Sequence, residues 1–334
     1  MQHFWNDPLG WGNAGIFIAG AVAVLAVVIF FVTYAIYFER KFIGWMQFRK
    51  GPNRVGPLGL LQTVADVAKL LLKEDTIPSK ADKGLFVLAP VLAFVPSFVV
   101  LAFIPYSMNL QFADLNVGFL YYIALSGITT IAIVVGGWAS NNKYSLLGGM
   151  RSAAQMISYE VPLVMSIVGV VMMTGSLNLR DIVIAQEGYF WDWNFLPQIL
   201  GFGIFVISAI SELNRTPFDL PEAESELVAG YHVEYSGFRF AFFMLTEYIY
   251  LYAIACLTTL LFLGGWNPPF PQLDFIPGVL WFFLKFAFIV FTIFWIRATF
   301  PRLRVDQLMS LAWKVLLPLA ILNIFLTALG IELM

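Results

Sequence analysis

Long apolar stretches dominate the chain, and most run too far without a polar face to belong to a soluble helix or a strand. Runs of roughly 17 to 25 residues, enough to cross a ~30 Å hydrocarbon core, fall at approximately 15–38, 84–105, 117–139, 152–174, 196–212, 239–263, 279–297 and 308–329. None shows the ten-residue alternation of an outer-membrane barrel. The pattern therefore predicts an all-α, polytopic membrane protein with about eight transmembrane helices. A different period appears between the first and second runs. From Pro57 to Asp75, Leu58, Leu61, Val64, Ala65, Ala68, Leu71 and Leu72 recur at helical spacing, while Gln62, Asp66, Lys69 and Lys73 fall largely on other faces. This predicts an amphipathic helix along the membrane surface, begun after "GPNRVGP" and stopped near Pro78. With no internal repeat, low-complexity tract or flexible linker in view, residues 1–334 read as a single integral membrane domain.

Composition agrees with that picture: 60% of residues are hydrophobic, 12% are charged, and mean hydropathy is +0.81. Formal net charge is only -2, which favours neither nucleic acid nor a broad anionic surface as partner. Charge placement is more informative. Of the 19 Lys and Arg, nine lie between the first two runs (40, 41, 49, 50, 54, 69, 73, 80, 83), and the other odd-numbered connections hold Lys143, Arg151, Arg215, Arg239, Arg297, Arg302 and Arg304. Arg180 alone falls on the opposite side, with Lys285 and Lys314 inside runs. The positive-inside rule then places connections 39–83, 140–151, 212–238 and 298–307 in the cytoplasm, or an organelle's equivalent compartment, and both termini on the outer side. The first run lacks the basic flank of a secretory signal and reads as a retained helix. A single cysteine, Cys256, leaves no internal disulfide and no self-contained iron–sulfur cluster, which needs about four thiolates.

An ionisable side chain within the bilayer costs ~2.5 to 3.5 kcal/mol on insertion scales, so it normally faces a cavity or a partner. Glu160, Glu247, Lys285 and Lys314 fall within spans, and Glu212 at the inner end of the fifth. Singly, each reads equally as a snorkelling or capping residue. Together, the acids on neighbouring helices must share protons, and such a set can relay them. The fifth connection repeats the anomaly: Glu212, Asp219, Glu222, Glu224, Glu226 and Glu234 face only Arg215 and Arg239. A solvated acidic loop is one reading. Interleaved Pro217, Phe218, Leu220, Pro221, Leu227, Val228 and Tyr231 suit the other, a partly buried acid-lined chamber at the inner face. In "SYEVP", Pro162 follows Glu160 and frees a carbonyl in the preceding turn. Neither His3 nor His232 has a partner at metal-ligand spacing, so no metal is expected. With no phosphate-binding glycine motif, nucleophile elbow or dinucleotide fingerprint, the chain by itself is expected neither to hold NADH nor to carry electrons.

Four segments, "YFERKFIGWMQFRKGPNRVGPLGLLQTVADVAKLLLKEDTIP" (37–78), "GGMRSAAQMISYEVP" (148–162), "SELNRTPFDLPEAESELVAGYHVEYSG" (211–237) and "WIRATFPRLRVDQLMSLAWKVLLPLA" (295–320), resemble the H-subunit family of bacterial respiratory complex I. That complex is the proton-pumping NADH:quinone oxidoreductase of the plasma membrane, and the mitochondrial counterpart is its membrane subunit one. The resemblance implies a non-redox subunit of a translocase, set between antiporter-like membrane subunits and peripheral-arm subunits that carry the iron–sulfur cluster. Quinone (ubiquinone or menaquinone) is implied as substrate, with nothing covalently bound and lipid around the chain. By the same resemblance Glu39, Arg40, Asp66 and Arg54 line the quinone chamber or its entrance. Asp219, Glu222, Glu224 and Glu226, with Glu160, Glu212 and Glu247, couple quinone reduction to proton movement, with Arg151, Arg215 and Arg297 as basic partners. Three other readings stay open on the residues: a related subunit of a membrane-bound hydrogenase, a self-sufficient ion transporter, and a purely structural scaffold for the peripheral arm.

Overall fold

The computed structural model describes residues 11–108, 110–220 and 228–333. The described chain is helical: α1 (Trp11–Met46), α2 (Gln62–Leu72), α3 (Lys83–Val99), α4 (Gly118–Ala139), α5 (Lys143–Thr174), α6 (Leu179–Ile184), α7 (Ile199–Glu212), α8 (Gly237–Phe262), α9 (Gly278–Thr299) and α10 (Val305–Leu333). The stretch Leu311–Leu316 of α10 is π-helical. Among the described residues the β pairing is a single isolated bridge, Ser107 to Leu110.

Seven of these helices, α1, α3, α4, α5, α8, α9 and α10, are long and apolar enough to cross a membrane. The stretch expected as a fifth span, 196–212, forms the 14-residue α7, about 21 Å long at ~1.5 Å per residue, against a ~30 Å core. Polar contacts set both of its ends, which apolar periodicity does not register. Before its start, Gln198 is buried, donating to Thr327 Oγ1 at 2.7 Å and accepting from Asn323 Nδ2 at 2.8 Å. After its end, Asn214 turns left-handed at φ 50°. Within the stretch 57–75, expected as an amphipathic surface helix, Gln62–Leu72 form α2, preceded by a 3₁₀ turn at Pro57–Gly59. Val64, Val67, Leu71 and Leu72 of α2 are exposed.

The core centres on α8, where every residue from Ile249 to Phe262 is buried. A helix apolar on all faces has no amphipathic period, and burial all round is what such a helix requires. Glycine permits close approach on either side. A Cβ on Gly137 of α4 would lie 2.7 Å from the Ser145 carbonyl of α5, and one on Gly148 would lie 2.7 Å from Gly230. Small residues let helices meet backbone to backbone where lipid offers no hydrophobic drive, and the second contact seats the Gly230–His232 turn against α5.

The connections sort into two ends. At one, Asp82 N–H donates to Ala139 O, Leu303 N–H to Pro217 O, Thr76 N–H to Ser236 Oγ and Asn142 Nδ2 to Glu234, while Arg239 pairs with Asp75 at 3.1 Å. These contacts join 47–82, 140–142, 213–236 and 300–304, the basic connections. At the other, Phe190 N–H donates to Pro269 O, and Asp114 meets Asn178 and Arg180. There Lys285, although inside α9, serves a structural end. Its Nζ donates to the carbonyls of Leu263, Gly265 and Asn267 at 2.6, 3.0 and 2.7 Å and lies 3.8 Å from the centre of the Trp193 ring. It satisfies carbonyls left over where α8 stops. Lys285→Ala is expected to cost about 3 kcal/mol, since a charged hydrogen-bond donor is lost and carbonyls are orphaned. A lowered melting temperature in detergent would register it, and an unchanged one would show the clamp to be dispensable.

Candidate functional site

The end that gathers the basic connections also gathers the acids. Glu39, near the end of α1, is 3% exposed. One carboxylate oxygen accepts from Arg215 Nη1 at 2.8 Å and from Tyr248 Oη at 2.9 Å, and the other accepts from Arg297. The chain arranges this economically. Left-handed Asn214 turns the backbone leaving α7 back into the bundle, so that Arg215 is 4% exposed. Its guanidinium stacks on the Tyr248 ring at 4.2 Å. Burial works against the Arg215 charge, but Glu39 beside it, with Tyr248 and Glu247 farther off, holds its pKa above the usual range. Arg297 comes from the last turn of α9, where a cation also faces the favourable end of the helix dipole.

A second pair, Arg302 to Asp219 at 2.9 Å, ties the seventh connection to the fifth. Gln155 of α5 fixes the same loop from inside, with Nε2 donating to Ser211 O at 2.8 Å and Phe218 O at 2.7 Å. The loop is thus held by packing and by backbone hydrogen bonds, and apart from half-buried Thr216 every residue from 211 to 220 is buried.

Deeper in the bundle lies a row of acids. Glu212 is buried and accepts from Tyr122 Oη at 3.2 Å, while its Oε2 has no hydrogen-bond partner among the described residues. Glu160 accepts from Ser126 Oγ at 3.4 Å, and Glu247 accepts from Tyr231 Oη at 3.3 Å. Glu212 and Glu247 line one cavity of about 30 Å³ together with Asn214, Thr129, Tyr231 and Tyr250. That is room for a water molecule, which needs at least ~10–15 Å³ and polar partners. Thr129 and Tyr250 hydroxyls meet at 2.6 Å on its wall. The arrangement can hold protons on several oxygens and pass them through hydroxyls over short steps.

Of the residues singled out from sequence, Glu39, Arg215, Arg297, Asp219, Glu212, Glu160 and Glu247 fall in or beside this constellation. Arg40 pairs with Asp66 at 2.5 Å on the surface of α1 and α2, and Arg54 is exposed on the loop between them. Arg151 is half-buried in α5. Glu222, Glu224 and Glu226 lie outside the described residues. Lys285 is the cap described above, and Lys314 is exposed on α10. The hydroxyls were missed: Tyr122, Ser126 and Thr129 recur at helical spacing on one face of α4, a polar stripe in an apolar run, and Tyr248 and Tyr250 closely follow Glu247. Arg302 was counted only as a topological charge. The π-helical stretch of α10 was also missed; Trp313 Nε1 donates to Ser158 Oγ at 3.2 Å and Tyr159 Oη donates to Leu308 O at 2.9 Å, clamping α10 at that stretch next to Glu160.

Fold and site together define a polytopic α-helical membrane protein with a row of buried and half-buried carboxylates beside a charged end. The chain belongs to the NADH dehydrogenase family, whose sequence profile matches residues 19–328. It is similar to the H subunit of NADH-quinone oxidoreductase of Brevibacillus brevis, 69% identical over 328 residues that cover 98% of this chain and 97% of the relative. The H subunit of Anoxybacillus flavithermus is 64% identical over 330 residues, covering 98% of each chain. That of Bacillus cytotoxicus is 65% identical over 334 residues, covering 100% of this chain and 99% of the relative.

Two outcomes follow from the geometry. Glu39→Gln removes the anion between two arginines, one of them buried, and is expected to destabilise by roughly 3–5 kcal/mol, measured as loss of folded protein on detergent extraction. Arg297→Gln, at a 29% exposed side chain, is expected to cost less. The second outcome concerns His232, which is buried beside Tyr231 and Phe240 with Nδ1 unpartnered among the described residues. Burial lowers its pKa from 6.5 to about 4. The unfolded chain therefore takes up a proton below pH ~6.5 that the folded chain refuses, and stability falls as pH drops from about 6.5 towards 4. The full effect is roughly 3 kcal/mol at ~1.36 kcal/mol per pK unit. His232→Asn is expected to flatten melting temperature against pH across that window.

Proposed function

We propose that this chain is the membrane subunit of an NADH:quinone oxidoreductase that walls the quinone-binding chamber with peripheral subunits, and that its buried carboxylates couple quinone reduction to proton translocation. The observation that carries this reading is the continuity from the Glu39–Arg215–Arg297 cluster, through Asn214, to the cavity shared by Glu212 and Glu247. Homologues named as the H subunit of NADH-quinone oxidoreductase, alike over their full length, support it. The 16 basic residues on the connections of the charged end, with α2 on that side, support its placement at the cytoplasmic face of the plasma membrane with both termini outside.

Quinone is the substrate, and its reduction to quinol takes two electrons and two protons. The electrons come from an iron–sulfur cluster on a peripheral subunit. This chain's part is electrostatic and protonic. A unit charge appearing ~10 Å away acts with ~1.7 kcal/mol at an effective dielectric of ~20, more than one pK unit. Charge arriving near the Glu39 cluster therefore weakens or strengthens the hold of Arg215 on Glu39 and, through Arg215, the field at Glu247. Protons then redistribute among Glu247, Glu212 and Glu160, with Tyr231, Tyr122 and Ser126 as the hydroxyls that bridge to each. Glu222, Glu224 and Glu226, outside the described residues, belong with the acidic set by their sequence, Asp219 is held ready by Arg302, and Arg40, Asp66 and Arg54 stand at the chamber's entrance. Antiporter-like subunits receive the redistribution on the far side of Glu160.

The test is Glu212→Gln in the intact complex, with assembly confirmed on a native gel. Proton pumping is expected to fall at least tenfold, with quinone reduction reduced alongside it or retained. Unchanged pumping at unchanged turnover would reduce the acid row to packing.

A further inference from the structure

Between α1 and α9 the molecule carries a long apolar groove with a volume of about 650 Å³. Phe30, Tyr34, Phe38 and Trp45 of α1 form one wall and Phe283 and Phe291 of α9 the other. From Val27 to Trp45 it follows 19 residues of helix, about 27 Å end to end at ~1.5 Å per step, nearly the thickness of a ~30 Å hydrocarbon core. A second groove of about 430 Å³ shares Val27, Tyr252 and Phe283 with it and continues towards Gly20. Apart from the hydroxyls of Tyr34 and Tyr252 and the indole N–H of Trp45, the lining side chains of the larger groove are hydrocarbon, so a peptide backbone or polar side chain laid there would find almost nothing to bond.

The two ends of this groove differ in charge. At the Glu39 end, the chain leaving α1 folds straight back: Arg49 N–H donates to Gly44 O at 2.8 Å, and Gly51 packs so tightly on Lys41 that a Cβ there would come within 2.9 Å of the Lys41 Cα. The turn sets Arg49 and Lys50 beside Lys41, one turn of helix from Phe38 and Trp45. None of the three pairs with a carboxylate among the described residues. Phe48, at φ 54°, is fully exposed in the same turn, next to the 66% exposed Trp45. Aromatic rings of this kind sit at headgroup level. At the opposite end of the molecule, Arg180 already faces Asp114.

We propose that this groove is a binding site for an anionic phospholipid of the leaflet on the Glu39 side, with the acyl chains along Phe30, Phe38 and Phe291 and the phosphate between Lys41, Arg49 and Lys50. Hydrocarbon walls running along the bilayer normal suit acyl chains, and three cations without a carboxylate partner among the described residues favour an anion at one end. Near an anionic membrane surface each basic residue favours binding by about fivefold, so the trio together contributes roughly 100-fold selection over a zwitterionic lipid. The inference rests on the membrane-spanning fold and not on the quinone reading, and its readout is lipid capture rather than turnover.

The experiment places a photoreactive benzoylphenylalanine at Phe30 in the intact complex, held in nanodiscs of equal phosphatidylglycerol and phosphatidylcholine, and identifies the adduct by mass spectrometry. The expected result is a phosphatidylglycerol adduct enriched at least tenfold over phosphatidylcholine. The combined Lys41→Gln, Arg49→Gln, Lys50→Gln change is expected to return the adducts to the bulk ratio, and Ala287→Phe, which fills the groove from its lining, to lower both. An adduct with a protein subunit, an adduct with quinone, lipid captured at the bulk ratio by the unmodified site, or selection that survives the triple change would each overturn the proposal.

Discussion

One carboxylate organises the charged end of this molecule. Glu39 belongs to the first helix, Arg297 to the ninth, Tyr248 to the eighth and Arg215 to the loop after the seventh, and all three donors converge on its two oxygens. Taking Glu39 and Arg215 out of water is costly unless each charge meets a partner. The match is met only when the four elements reach their final places together, so the cluster specifies how the basic end closes. Arg215 matters most, because the loop that delivers it also carries Asp219 and leads into the acid-rich stretch beyond.

Much of this was legible in the sequence, for a physical reason. Long apolar runs must be helices in lipid because no water is present to satisfy the backbone, and seven of the predicted spans are long enough to cross. Charges inside such runs are conspicuous, which is how Glu160, Glu212 and Glu247 stood out. Apolar counting is blind to termini set by buried polar contacts, and so the stretch 196–212 did not betray its shortness. Lys285 looked the same in sequence as the acids, yet it caps three carbonyls. Tyrosine and threonine hydroxyls on the wall of the cavity shared by Glu212 and Glu247 were hidden too, since those residues are ordinary in membrane helices and only the fold brings Thr129 and Tyr250 to 2.6 Å.

Glycines solve a related problem. The approach of Gly148 to Gly230 draws the fifth connection against α5, which places Tyr231 where its hydroxyl reaches Glu247. A contact with no polar side chain of its own thereby sets the geometry of an acid in another helix. Gln155 acts in the same sense from α5, holding Ser211 and Phe218 in register so that the loop between them can turn Arg215 inward.

The short α7 also bears on how the molecule meets the membrane voltage. Its last residue, Glu212, contacts Tyr122 of α4 and stands near Ser126 and Glu160, positions within long helices that cross the bilayer. The helix therefore ends on a carboxyl group set among helices long enough to cross a membrane, and the chain continues as buried loop. A full crossing is worth ~2.3 kcal/mol per unit charge at 100 mV, so a charge held between the two faces of the membrane feels a part of that. A carboxyl group at the end of α7 is thereby exposed to the electrical potential as well as to its protein neighbours.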